Sequence, residues 1–136
     1  MVAAPELLEL PRRRSPLRAA LVAVRPRQWS KNLLVFAGLV FAAKLGDASR
    51  WLEAVAAFVA YCAASSSAYL VNDLRDVAHD RAHPIKRNRP IARGELSTER
   101  ALVLAAVLAV AALAIAAALG YVSLLFLVAF VALQLG

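Results

Sequence analysis

The segment Asn72-Asp73-Leu74-Arg75-Asp76-Val77-Ala78-His79-Asp80 places three carboxylates at spacings of three and four. On an α-helix those spacings put Asp73, Asp76 and Asp80 on one face. Like charges so close repel unless a cation or a basic partner neutralises them. A basic stretch, Arg81 to Arg93, follows directly. Carboxylates on one helical face beside arginines and lysines are the chemistry of a site for Mg²⁺ and a phosphorylated substrate. Magnesium takes oxygen ligands, keeps several waters, and is held by one or two carboxylates together with substrate phosphates.

Asn72 adds a further oxygen donor, so the candidate metal ligands are Asn72, Asp73, Asp76 and Asp80. A divalent ion there would bridge the cluster to a diphosphate and stabilise the charge that builds on departing pyrophosphate. Arg87 and Arg89 could grip phosphate oxygens bidentately, with Lys86 as a point charge. The blander reading is a solvated helix end paired with Arg75 and Arg81, and a basic loop that only sets topology and attracts anionic lipid. Position separates the two. The acids begin where an apolar stretch ends, and ionisable groups at such places are costly and usually functional. His79 and His83, four apart, could share a metal, but the oxygen-rich surroundings suit hard ions better than zinc. Cys62 stands alone in an apolar run and reads as a small buried residue. Gly-rich phosphate loops, Ser-His-Asp sets and Cys/His clusters are missing.

The elements that would position these groups are membrane helices. Of 136 residues, 62% are apolar, and the mean hydropathy is +0.65. A soluble domain is usually about 45–50% apolar. From Ala101 to Gly136 there are 36 residues without one charged side chain. The fold class read from this is all-α, a polytopic transmembrane helical bundle. Residues 1–24 read as a basic cytoplasmic tail, with an interfacial helix from Leu17 to Val24. A signal peptide fits poorly, because the apolar run comes only after Arg25, Arg27 and Lys31. Spans are expected at about 29–45, 51–71, 99–119 and 121–136, the last truncated, with the acidic motif and basic loop at 72–97. Trp29 and Trp51 suit membrane interfaces. Ser65, Ser66 and Ser67 read as small residues for close helix packing rather than a polar lining. The helix of the second span is expected to run on to about Asp80 or Ala82, stopped by Pro84. Ser97 is the expected N-cap of the third span, and Gly120 divides the long apolar run.

Seven basic residues lie before or at the start of the first span, seven from the end of the second to the start of the third, and only Lys44 and Arg50 from the end of the first to the start of the second. The positive-inside rule then puts the N-terminus and the acidic loop in the cytoplasm of a multi-pass plasma-membrane protein. The net charge of +7 reads as topology before polyanion binding, and no nucleic-acid partner is expected.

At these residues a resemblance appears. Asn72-Asp73-x-x-Asp76-x-x-x-Asp80 at the end of the second span resembles the first aspartate-rich motif of the UbiA superfamily of intramembrane prenyltransferases; Arg89-Pro90 and Gly94 fit as well. RPRQWSKNLLVFAGLVFA (25–42) and AYLVNDLRDVAHDRAHPIKRNRPIARGELS (68–97) resemble its decaprenyl-phosphate phosphoribosyltransferase branch. The resemblance implies a bundle of nine helices around a cavity open to the cytoplasm and to lipid. It implies phosphoribosyl pyrophosphate as donor, a polyprenyl (decaprenyl) phosphate as acceptor, and a product that feeds cell-wall arabinan. It implies Mg²⁺ and pyrophosphate organised by the catalytic Asp73, Asp76 and Asp80, with Asn72 helping. Arg25, Arg27, Lys31, Lys86, Arg87 and Arg89 would meet substrate phosphates. The family's second aspartate-rich motif lies beyond this sequence, so residues 1–136 read as an N-terminal fragment, inactive alone. The rivals are an aromatic prenyltransferase of the same superfamily, using an isoprenyl diphosphate, and a non-catalytic truncated membrane protein.

Overall fold

A computed structural model describes residues 13–33 and 48–135, without the side chains of 48–50. Among the described residues the secondary structure is helical, with turns and loops between. The expected tail residues 1–12, most of the expected first span, and Gly136 lie outside them.

Helix α1, Pro16–Val24, opens with Pro at its first position, and the Ser15 hydroxyl accepts a hydrogen bond from the Arg18 amide. Both are ordinary start signals. Arg25 ends it in the left-handed conformation (φ 54°, ψ 64°), the single non-glycine residue of positive φ among those described. A 3₁₀ segment, Pro26–Asn32, follows. Where the sequence reading begins a membrane span at about residue 29, the structure therefore has a tighter turn. Trp29, expected as an interfacial anchor, is instead half-buried, its indole N–H donating 2.8 Å to Ser66 Oγ.

Helix α2, Ala48–Arg75, contains the first stretch long and apolar enough to cross a membrane, Trp51–Arg75. After a single-residue break at Asp76 (φ −100°, ψ 9°) the path resumes as α3, Val77–Arg81. The hydrogen bonds Asp76 N–H to Asn72 O (3.0 Å) and Asp80 N–H to Asp76 O (2.7 Å) keep the helical direction across the break. The expected extension to Asp80 or Ala82 is thus present, but interrupted. A short 3₁₀ turn, Lys86–Asn88, lies in the loop.

Helix α4, Thr98–Leu119, is the second span-length helix. Ser97 Oγ caps it by accepting from the Arg100 amide at 3.2 Å, with Glu99 in the first turn, as the sequence predicts. Gly120 adopts φ 133° and ψ 163°, which L side chains rarely reach, and α5, Tyr121–Leu135, doubles back against α4. At 15 residues α5 is shorter than a full span.

Two small cores hold the helices. Ala64 of α2, Ala112 and Ala116 of α4 and Leu127 of α5 form one, with Tyr61 and Phe130 edge-to-face at a centroid distance of 4.9 Å. Alanines at these contacts let the backbones approach closely. The other lies at the polar end of the spans. It joins Ala19 and Ala23 of α1 to Leu70 of α2, Ile91 and Leu96 of the loop, and Ala101 and Ala105 of α4. Only 17% of the apolar window of α4 is buried, and Leu102, Val103, Val107 and Val110 are exposed. Such a surface is stable against lipid or further apolar protein, not water.

The serine triplet confirms the packing reading and adds hydrogen bonds. Ser65, Ser66 and Ser67 are all buried. Ser66 Oγ donates to Val24 O at 2.6 Å, and Ser67 Oγ to Ala105 O at 2.7 Å. Ser65 Oγ accepts from Asn32 Nδ2 at 3.3 Å. In this way α2 ties the chain around residues 24–32 to one side and α4 to the other.

Candidate acidic and arginine site at the polar end of the spans

Asp73 and Asp80 are seven residues apart, two helical turns, so both point into the protein; each is 2% exposed. Asp76 does not join them. It occupies the break between α2 and α3 and is exposed. The expectation of three aspartates on one shared face is therefore corrected to two buried and one outward. Among the described residues, no three Asp, Glu, His or Cys side chains converge as a metal site.

Two buried carboxylates need cations, and one arginine from far back in the chain and one from the loop just after α3 supply them. Arg25 Nη2 donates to Asp73 Oδ1 at 2.7 Å. Arg89 Nη1 lies 3.3 Å from Asp73 Oδ1 and 3.1 Å from Asp80 Oδ2, so one guanidinium nitrogen joins both acids. Arg25 also stacks over the Tyr69 ring, 4.8 Å from its centroid. The left-handed turn at Arg25 directs its side chain back toward α2, and the Ser66 hydrogen bonds to Trp29 and Val24 O fix the segments on either side of it.

A second ion-pair group holds the loop. Glu95 is buried, with Arg14 Nη1 2.7 Å from its Oε1 and Arg93 Nη1 3.8 Å from its Oε2. The Arg14 amide also donates to Glu95 Oε2. Burial pushes the Glu95 carboxyl up, but hydrogen bonds from Arg14 and the charges of Arg14 and Arg93 outweigh it and hold the carboxyl below its ordinary value. Arg14 donates to Asn88 O at 3.0 Å, and Arg81 Nε to Ala92 O at 3.0 Å. The residue ahead of α1 is thus fastened to the loop that carries Arg89.

Of the residues singled out from sequence, the structure brings Arg25, Asp73, Asp80 and Arg89 together. Asn72 lies one position before Asp73, but its Nδ2 donates to Gln134 O at 3.4 Å. Arg27, Lys31, Lys86 and Arg87 are exposed, without an ion pair to the acids. His79 is exposed, and His83 Nδ1 accepts from the Ile85 and Lys86 amides at 3.1 Å each, which makes it a turn residue. Sequence reasoning missed Arg14, Tyr69 and Glu95. Of these only Glu95 carried a signal, as the one acid in the basic stretch between Arg81 and Ser97.

Asp73 and Asp80 are hard oxygen donors whose charge is met by guanidinium groups. They fit Mg²⁺ in kind, since two carboxylates plus water and substrate phosphates make up an ordinary magnesium shell. Arg25 and Arg89 are only partly buried, so N–H groups they do not spend on the acids can donate to an anion at the edge of the apolar bundle.

Residues 33–136 match the model of the UbiA prenyltransferase family. The chain is similar to the decaprenyl-phosphate phosphoribosyltransferases of Mycolicibacterium smegmatis (47% identical over 118 residues), Mycobacterium tuberculosis (44%) and Corynebacterium glutamicum (40%). In each case 84% of this chain is covered, and it spans 37%, 39% and 36% of the relative's length. With a family match over most of its sequence and two helices long and apolar enough to cross a membrane, this chain belongs to the UbiA prenyltransferase family of integral membrane proteins.

Proposed function

We propose that the protein transfers 5-phosphoribosyl from phosphoribosyl pyrophosphate to a polyprenyl phosphate, with Mg²⁺, at the cytoplasmic face of the plasma membrane, and so feeds cell-wall arabinan synthesis. The observation that carries this reading is the convergence of Arg25 and Arg89 on Asp73 and Asp80, in a chain whose similar relatives carry that name. A donor built of ribose and phosphates needs a polar, cationic surround, and this end of the bundle provides one. An isoprenyl donor would need an apolar groove beside the acids.

In the reaction, an acceptor phosphate oxygen forms a bond to ribose C1 as the bond from C1 to pyrophosphate breaks. Pyrophosphate leaves with the electron pair. Asp73 and Asp80, with Asp76 and Asn72 beside them, would hold Mg²⁺, which supplies charge neutralisation at the departing pyrophosphate. Arg25 and Arg89 bind phosphate oxygens from inside the site. Lys31, Lys86 and Arg87 are exposed and would meet the phosphates of donor and acceptor; Arg27, assigned to these phosphates from sequence, lines a cleft beside Arg18 instead. Basic loops flanking the acidic end, with few basic residues at the other, support the cytoplasmic orientation.

The test uses membranes containing the product of the complete reading frame, labelled phosphoribosyl pyrophosphate, polyprenyl phosphate and Mg²⁺, with Asp73→Ala as control. The expected result is a lipid-linked phosphoribose that requires the metal and is lost in the variant. Transfer from an isoprenyl diphosphate to an aromatic acid instead would keep the family and overturn the donor. No product from either donor would favour a non-catalytic protein.

A further inference from the structure

Helix α1 has two unlike faces. Ala19 and Ala23, four apart, are 0% and 1% exposed and pack into the core at the polar end of the spans. Leu17 and Leu21, also four apart, are 73% and 53% exposed, and Val22 is 39% exposed. The helix therefore buries its small residues and presents its large apolar ones. Its depth is set by its neighbours. Ala19 and Ala23 share their core with Leu70, three residues before Asp73, and with Ala101 and Ala105 in the first turns of α4. Here the apolar spans give way to the charged loop, which is the level of lipid head groups.

Beside the outward leucines is a cleft of about 620 Å³, lined by Arg18, Leu21, Val22 and Arg25 along α1 and by Pro26, Arg27 and Gln28 of the turn that follows. Arg25 is committed to Asp73. Arg18 and Arg27 are exposed and make no ion pair among the described residues, and no acid lines the cleft. Apolar residues next to two uncommitted guanidiniums match an amphiphile with an anionic head. A helix of this kind lies in the interface plane, with its apolar face in the acyl boundary.

We propose that α1 is an interfacial helix whose cleft binds the phosphate of an anionic bilayer phospholipid, through Arg18 and Arg27, with Leu21 and Val22 against the upper acyl chain. This lipid site lies beside α1, where Arg25 joins its wall to the buried Asp73, and it does not rest on the phosphoribosyl reading. Arginine at an anionic surface gives on the order of a fivefold bias per residue, weakened by salt.

The test places a small fluorophore on Leu21→Cys in a Cys62→Ala background, with the protein reconstituted in nanodiscs of phosphatidylcholine and phosphatidylglycerol. Brominated acyl chains are carried on one lipid or the other. The expected result is strong quenching by bromolipid and little by aqueous iodide. Brominated phosphatidylglycerol should quench several-fold better than brominated phosphatidylcholine at equal fraction, and Arg18→Ala with Arg27→Ala should abolish that difference. Quenching by iodide alone would place the face in water, and shielding from both quenchers would place it under other protein; either overturns the proposal. Equal quenching by the two lipids at low salt removes the phosphate site. Should Leu21→Cys fail to fold, Val22→Cys reports on the same cleft.

Discussion

Arg25 Nη2 donates a 2.7 Å hydrogen bond to Asp73 Oδ1 across 48 residues of sequence. Asp73 is buried and Arg25 only partly so, and the arginine's left-handed backbone is the local deformation that makes the reach possible. Arg25→Ala would leave Asp73 with Arg89 alone and lose the stacking on Tyr69. Partly exposed pairs contribute less than fully buried ones, so a loss of about 1–2 kcal/mol in stability is expected, read by thermal unfolding in detergent. Arg25→Lys would keep the charge but not the planar fork, and transfer should recover only in part, with the larger deficit in KM for the pyrophosphate donor.

Asp76 separates folding from chemistry. It is exposed and makes no ion pair among the described residues, so Asp76→Asn should change stability by no more than about 0.5 kcal/mol. If Asp76 joins the metal shell in the working protein, the same variant loses transfer by about two orders of magnitude or more while unfolding normally. Full activity in Asp76→Asn would restrict metal binding to Asp73 and Asp80.

Ser66 is a junction: it accepts from the Trp29 indole and donates to Val24 O. Ser66→Ala would leave a partly buried carbonyl and a half-buried indole N–H without these partners. A cost of about 1–3 kcal/mol is expected. Because the junction holds the chain on both sides of Arg25, the variant should also raise KM for the donor. A stability loss with unchanged KM would confine Ser66 to packing.

Glu95 predicts a pH dependence. Its folded-state pKa lies below the ordinary 4.5, so its ion pairs stabilise the fold fully above that value. As pH falls from about 4.5 through the folded-state pKa, the unfolded chain takes up the proton first and the stabilisation is lost. Unfolding followed between pH 7 and pH 3 should show this decline in the parent and less of it in Glu95→Gln, which starts lower. Equal slopes in the two proteins would contradict it.

The sequence alone determined the class of the molecule and pointed to the end of it that we propose carries the chemistry. Apolar length, the division of the final run at Gly120 and the cap at Ser97 are local properties, dictated by hydration and backbone sterics, and they appear in the structure where expected. The motif around Asp73 was legible for the same reason, because carboxylates at the end of an apolar helix are costly enough to stand out. Which side chains meet there was not legible. Spacing put three aspartates on one face, but a single-residue break at Asp76 turned one outward, and only the packing of α2 and α3 determines that. Nothing local distinguishes Arg25 and Arg89 from Arg27, Lys86 or Arg87. What selects them is where a 3₁₀ turn and a loop anchored through Glu95 bring their side chains, and the contacts that set this, Arg25 to Asp73 and Arg14 to Glu95, cross 48 and 81 residues. Tertiary structure decides the partners of a charge because burial, not proximity in sequence, sets the cost of leaving it unpaired.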